Sequence, residues 1–253
     1  MTYADYLELE ALLRLQRPRS GGPAHDELLF IVIHQAYELW FKLVLHEADA
    51  LGDALERGDG PRAASCLRRL AAIQRLLNDQ IPVLETMTPA GFAAFRGALE
   101  DASGFQSFQF REIEIALGRR EPDLLAACPA EHRERLERRQ ARPSVYTALL
   151  RFLAGEGHPV PEEAVEASLA GAGHPGARRV LGDIYREQSS PALALCEAFV
   201  DLDELFQEWR YRHVKLVERF IGTRTGTGGS SGADYLRSTL FKPLYPDLWA
   251  ARG

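Results

Sequence analysis

Apolar residues recur at three-and-four spacing along almost the whole chain, while sustained apolar–polar alternation and Asn-Gly hairpin signals are missing. The first period belongs to helices with one buried face, and strands need a period of two. The expected fold class is therefore all-α, a bundle of helices. With 253 residues and 46% hydrophobic content, the chain can bury a substantial core, as one large domain or as a domain with a smaller insertion.

The spacing predicts a first helix from Tyr3 to Leu15, ended by the proline- and glycine-rich loop at 17–23. A second begins near Asp26, whose carboxylate suits a helix N-terminus, and runs to about Leu55. Around Leu28 to Ile33 it is apolar on every side, which predicts a place in the middle of the fold. A third covers Pro61 to Asn78, with Pro82 expected to end or kink it. Thr88-Pro89 reads as an N-cap followed by proline at the first helical position, opening a short helix through Leu99. Phe105 to Leu117 is the next, closed by Gly118. From 120 to 190 the pattern weakens into short helical pieces, read as a variable helical insertion within a single domain spanning 1–253. A long helix follows from Ser190-Pro191 to Ile221, with Gly222 as its stop.

Charge narrows the classes of partner. There are 30 Lys+Arg against 36 Asp+Glu, a formal net charge of -6, and basic pairs such as Arg68-Arg69 and Arg138-Arg139 are interleaved with acids on helices. That is a solvated surface, so no nucleic acid is expected as a partner. Cys66, Cys128 and Cys196 lie far apart without a CxxC pair, and the opening MTYADYLELEALL lacks the features of an export signal. These point to a reducing cytoplasm. His34, Gln35 and Glu38 interrupt the most apolar stretch well short of the roughly 20 residues a bilayer requires, so no membrane span is expected.

Four features could carry chemistry. His34 follows Phe30 by four residues and precedes Glu38 by four, so all three share one side of an otherwise apolar helix. It is a satisfied core histidine or part of a site, and the polar neighbours Gln35 and Glu38 add atoms that are costly to bury unpaired. His213, late in the long helix, is a structural histidine or a single axial ligand, a role that no ligand spacing can reveal. Gly226-Thr227-Gly228-Gly229-Ser230-Ser231-Gly232 is a linker or a closing lid rich in amide and hydroxyl donors, and it lacks the Gly-Lys-Ser/Thr of a phosphate loop. Phe92 and Arg96 stand four apart on the helix after Pro89. Arg96 is a surface charge or, on a buried face, a guanidinium that needs a carboxylate.

Three blocks carry a resemblance. Asp26-Glu27-Leu-Leu-Phe30-Ile-Val-Ile-His34-Gln35-Ala-Tyr-Glu38-Leu-Trp40-Phe-Lys42 is the first, and Ser103-Gly-Phe-Gln-Ser-Phe-Gln-Phe-Arg111 the second. The third joins Tyr211-Arg-His213 to the glycine-rich loop and Tyr235-Leu-Arg237. Together they closely resemble the tryptophan 2,3-dioxygenases, within the wider haem-dependent aromatic amino-acid oxygenases. The likeness leaves the stretch from 120 to 190 unsupported.

The resemblance implies long helices enclosing a b-type haem, ferrous in turnover, with His213 as the axial ligand of the iron and O2 as co-substrate. It implies that His34, the candidate catalytic residue, contacts the indole N–H, that Phe30 and Phe92 form aromatic walls, and that Arg96 pairs with the substrate carboxylate. Thr227 matches the loop threonine that helps hold the amino acid. Tyr3 and Tyr6 match N-terminal aromatics that reach a neighbouring subunit's site in a homotetramer. The implied reaction opens the indole C2–C3 bond of L-tryptophan to N-formylkynurenine, a step of tryptophan catabolism. Two alternatives remain: mono-oxygenation of a tryptophan derivative such as a β-methylated one, and a haem- or tryptophan-binding sensor without turnover.

Overall fold

The computed structural model describes residues 1–100, 102, 104–121, 123–126, 128, 130–187, 189–222 and 233–252. Its elements, in chain order, are α1 (Tyr3–Tyr6), α2 (Leu9–Leu12), α3 (Asp26–Glu56), α4 (Gly60–Glu85), α5 (Pro89–Arg96), α6 (Phe108–Leu117) and α7 (Asp123–Ala126). They continue with α8 (Ala130–Gln140), α9 (Val145–Gly155), α10 (Glu162–Leu169), α11 (Pro175–Arg186), α12 (Pro191–Ile221), α13 (Ala233–Thr239) and α14 (Pro246–Ala250). Short 3-10 turns at Gly97–Leu99 and Gly104–Gln106 complete the regular structure, and among the described residues there is no strand. The all-α class and the two 31-residue helices, α3 and α12, are as the periodicity predicts.

α4 packs against both α3 and α12, and α3 also meets α6 and α9. Leu51, Leu55, Leu67, Leu77, Phe199 and Leu202 from the three long helices are at most 1% exposed, and they make the centre of the core. Caps set the helix starts where the sequence places them. Thr88 Oγ accepts from the Gly91 amide (3.0 Å) and Ser190 Oγ from the Leu193 amide (3.0 Å), each just before a proline that gives up no helical hydrogen bond there.

Three expectations are corrected. The N-terminal helix is two short pieces, α1 and α2, broken at Glu8, which adopts φ 51. Tyr3, Tyr6 and Leu13 are 70% or more exposed, so no packed face supports a longer helix, and pieces this short gain little from propensity alone. Second, Pro82 lies inside α4 instead of ending it. The amide it lacks falls in the last turn, where one bond is lost while Ile81 and Leu84 on either side stay buried.

Third, the Leu28 to Ile33 stretch is not central. Leu28 and Val32, with Leu39 further on, are 44% to 54% exposed, while Ile33, Tyr37 and Phe41 on another face of α3 are buried. By length and hydropathy alone α3 could cross a membrane, since the polar residues that interrupt it are too few to lower its average. Its place against α4, α6 and α9 accounts for the buried part of that apolarity. The described part of 120–190 forms the short helical pieces the sequence predicts, α7 to α11, and α9 contributes Leu149 and Leu153, both 0% exposed, to the main core.

Two buried carboxylates fasten the C-terminus. Asp203 on α12 accepts from the Tyr245 amide and the Trp249 indole N–H, both at 3.0 Å. Asp247 accepts from the Tyr146 hydroxyl (3.0 Å), the His174 amide (3.0 Å) and Arg178 Nε (2.7 Å), which ties α9, α11 and α14 together. Asp203→Ala leaves two buried N–H groups without their acceptor and is expected to cost about 2 kcal/mol. Urea unfolding checks this, and an unchanged midpoint would contradict it.

Candidate functional site

α3, α5 and α12 converge on a cavity of about 240 Å³, closed on another side by α6 and the 3-10 turn before it. Its walls are largely apolar and aromatic. Phe30, His34 and Tyr37 come from α3, Phe92 and Arg96 from α5, Trp209, His213 and Phe220 from α12. The spacing that puts these side chains on one face is helical. Residues 30, 34 and 41 of α3 and residues 209, 213 and 220 of α12 repeat at four and seven, the period of a single stripe.

Phe30 and His34 are stacked at 3.9 Å between centroids with a 32° tilt, and Phe92 lies 6.2 Å from Phe30 and 5.6 Å from Phe220. Thus α5 is keyed between α3 and α12 by rings. Tyr37 donates its hydroxyl to the Leu77 carbonyl at 2.8 Å, joining α3 to α4 behind the cavity, and burial pushes its pKa up to about 12. Gln109 on α6 donates to both the carboxylate (2.8 Å) and the carbonyl (2.9 Å) of Glu38, which fixes that polar wall residue.

The two histidines differ in a way that matters. His34 Nδ1 is 2.7 Å from the Phe30 carbonyl oxygen. A carbonyl can only accept, so Nδ1 carries the proton and Nε2, at the far edge of the ring, keeps a lone pair. Burial holds the His34 pKa below the ordinary histidine value, although the Phe30 carbonyl and Glu38 pull the other way. The ring is neutral, a hydrogen-bond acceptor at the cavity wall. His213 is neutral as well, its pKa lowered to about 4 by burial and then by the proximity of His34. Its Nδ1 is buried with no hydrogen-bond partner, and Trp209 holds the ring edge-on at 4.9 Å.

Leaving a buried ring nitrogen without a partner costs free energy, so His213 is poorly explained as a core residue.

Of the residues singled out from sequence, the structure brings Phe30, His34, Phe92, Arg96 and His213 to one cavity. Tyr3 and Tyr6 stand apart from it, 76% and 74% exposed. Thr227 and the rest of the 226–232 loop lie outside the described residues. Sequence reading missed Tyr37, Phe110, Arg111, Glu114 and Arg210. The charged three carried a usable signal: Arg and Glu on helices whose neighbours are apolar have to be paired somewhere. A second, more open hollow shares Phe30, His34 and Leu99 with the cavity and continues to Leu15, Arg17 and Arg19.

Fold and site define an α-helical protein with a largely aromatic cavity between long helices, carrying histidines from two of them. Comparison with known proteins sharpens the class. A profile of the tryptophan 2,3-dioxygenase family matches residues 1–142 and 172–253. The tryptophan 2,3-dioxygenase of Herpetosiphon aurantiacus is 53% identical, covering 100% of this chain and 98% of the relative. That of Anaeromyxobacter sp. (strain K) is 54% identical over 100% of this chain and 96% of its own length, and that of Myxococcus xanthus 43% over 99% and 88%. The chain belongs to the tryptophan 2,3-dioxygenase family. The profile omits 143–171, so the unlike part is narrower than 120–190 and coincides with α9 and α10.

Proposed function

We propose that this chain is a haem-dependent tryptophan 2,3-dioxygenase that opens the indole C2–C3 bond of L-tryptophan to give N-formylkynurenine. The observation that carries the reading is the pairing of His34 and His213, both neutral, on the wall of one aromatic cavity that Arg96 also lines.

His213 fits a haem because its ring is neutral, as a ligand must be, and because one of its nitrogens has no partner within the protein. Ferrous haem b supplies the O2 chemistry when bound, and the protein's share is to bind, orient and keep the site dry. Phe30 and Phe92 supply aromatic walls for the flat indole. His34 accepts the indole N–H through Nε2, which fixes the ring's rotation, and its neutral state leaves that nitrogen able to take a proton. Arg96 pairs with the substrate carboxylate, and Thr227 of the glycine-rich loop completes the hold on the amino acid. Holding the substrate in one pose removes orientational freedom that would otherwise be lost at the barrier.

The assembly proposed is a homotetramer in which Tyr3 and Tyr6 serve a neighbour's site. Their exposure here, with that of Leu28, Val32 and Leu39, supports the reading, since isolated chains rarely leave such residues in water without a partner surface. The chain is read as one domain with residues 120–190 as its variable part. Buried free cysteines at 66, 128 and 196 support a reducing cytoplasm, with neither membrane nor nucleic acid as partner.

Product mass analysis under 18O2 is the test of the function. Gain of two labelled atoms on L-tryptophan is expected, and gain of one, or none, would refute the assignment. For Arg96→Ala the expected result is a rise in KM for L-tryptophan of about 10- to 100-fold, the worth of a charge-assisted hydrogen bond. Tryptamine, which lacks the carboxylate, should be processed no worse than before. Equal losses on both compounds would remove the carboxylate role.

A further inference from the structure

The roles above leave unused the most costly electrostatic feature of the interior. Glu114 on α6 is 2% exposed and is surrounded by Arg111, Arg119 and Arg210, which are 3% to 6% exposed. Its Oε2 accepts from Arg111 at 2.8 Å, and its Oε1 accepts from Arg119 and, at 3.3 Å, from Arg210. Arg119 also reaches Glu121, whose side chain is 40% exposed. Glu114 is thus the carboxylate that all three guanidiniums touch. Asp203, the next buried carboxylate, accepts from Tyr245, Trp249 and Gln207, and its charge also acts on Arg210.

Arginine keeps its charge even when buried. Burial lowers the pKa of Arg210 and Arg119 adds to that, while Glu114 and Asp203 oppose it. Guanidiniums held at this depth on a cavity wall are further stabilised when an anion joins them. The opening for one is at hand, since Arg111, Glu114 and Arg210 line the same cavity as His213. Arg210 precedes His213 by three residues on α12, so the two are neighbours on one side of the helix.

We propose that Arg111 and Arg210 form a carboxylate clamp for the propionate side chains of the haem, an inference that rests on the haem reading above. The other carboxylate that enters the cavity is the amino acid's. Arg96 is on α5 with Phe92, among the rings that surround His34, and is suited to that one. The clamp lies on α6 and α12, whereas Arg96 lies on α5.

The test compares full-length protein loaded with haem or with its propionate dimethyl ester, following pigment loss to excess apomyoglobin in the Soret region. The ester, which cannot form the ion pairs, is expected to leave the unaltered protein about tenfold faster. In Arg111→Gln and Arg210→Gln that ratio should fall towards one, while discrimination between L-tryptophan and tryptamine persists. Should glutamine prevent folding by circular dichroism, Arg210→Lys, which keeps the charge but not the planar fork, replaces it and is expected to narrow the ratio about threefold.

Equal release of haem and ester from the unaltered protein overturns the clamp. So does a folded variant, glutamine or lysine, that keeps the full ratio, or one that loses substrate discrimination instead. Failure of both pigments to give a Soret band has a different signature and refutes the haem reading itself.

Discussion

Replacing His213 by alanine is expected to abolish the Soret band and all turnover while leaving the protein folded. The argument rests on what the imidazole does inside the chain, which is little. Among the described residues its Nδ1 has no hydrogen-bond partner, burial and nearby His34 lower its pKa to about 4, and Trp209 packs edge-on against the ring. A histidine kept for stability would donate or accept within the fold, and its loss would strand the other partner. Here no partner is stranded. The melting temperature of haem-free His213→Ala should accordingly stay within about 2–4 °C of the unaltered haem-free protein, a change worth near 1 kcal/mol in a chain of this size. Absorbance after haem supply and calorimetry on the haem-free form decide the matter together. Retained haem, or a collapse in stability, would contradict the ligand role.

Glu114→Ala is expected to have the opposite profile, with a large loss of stability. The substitution leaves Arg111, Arg119 and Arg210 buried together without the carboxylate all three touch. Removing one member of a buried ion pair typically costs about 3–5 kcal/mol, because the charge left behind can neither escape nor neutralise. For a chain of this length that corresponds to a melting temperature lowered by roughly 10 °C.

The same residue predicts an acid limb. Burial raises the Glu114 pKa, but Arg119, Arg111 and Arg210 together hold it below the ordinary glutamate value. With the folded value depressed, the unfolded chain takes up the proton first as pH falls. Glu114's contribution is thus complete above the ordinary carboxylate range and is lost as pH drops through the depressed value. Unfolding free energies of wild type and Glu114→Ala should converge in acid, and parallel curves down to the lowest accessible pH would rule out this source of stability.

The architecture was readable wherever helical punctuation is local. Thr88-Pro89, Ser190-Pro191 and Gly222 mark boundaries through caps and stops that depend on their immediate neighbours, and the structure has them there. Reading failed where a distant partner decides. Pro82 is tolerated because Ile81 and Leu84 are already buried against other elements, and α1 and α2 break apart because nothing in the chain packs on them.

The site divides along the same line. Phe30 with His34 and Phe92 with Arg96 are four-residue pairs on single helices, visible as spacing. That His213 faces the same cavity depends on α12 meeting α3 and α5, which no local pattern encodes. The charged wall from Arg111 to Arg210 spans almost a hundred residues of sequence, so local pattern can show that its members need partners but not which partners they find.

The hydrogen bond from His34 Nδ1 to the Phe30 carbonyl has one more consequence. It locks the polarity of the ring as well as its position: the cavity is offered a lone pair and no proton. A bicyclic ligand with N–H at the matching place completes the bond. One with a methylated nitrogen leaves the lone pair idle, and one with a ring oxygen sets two lone pairs against each other. On the reading proposed here the backbone of α3 thereby acts as a filter for the heteroatom, ranking indole above N-methylindole and benzofuran by electrostatic sign, before any question of size arises.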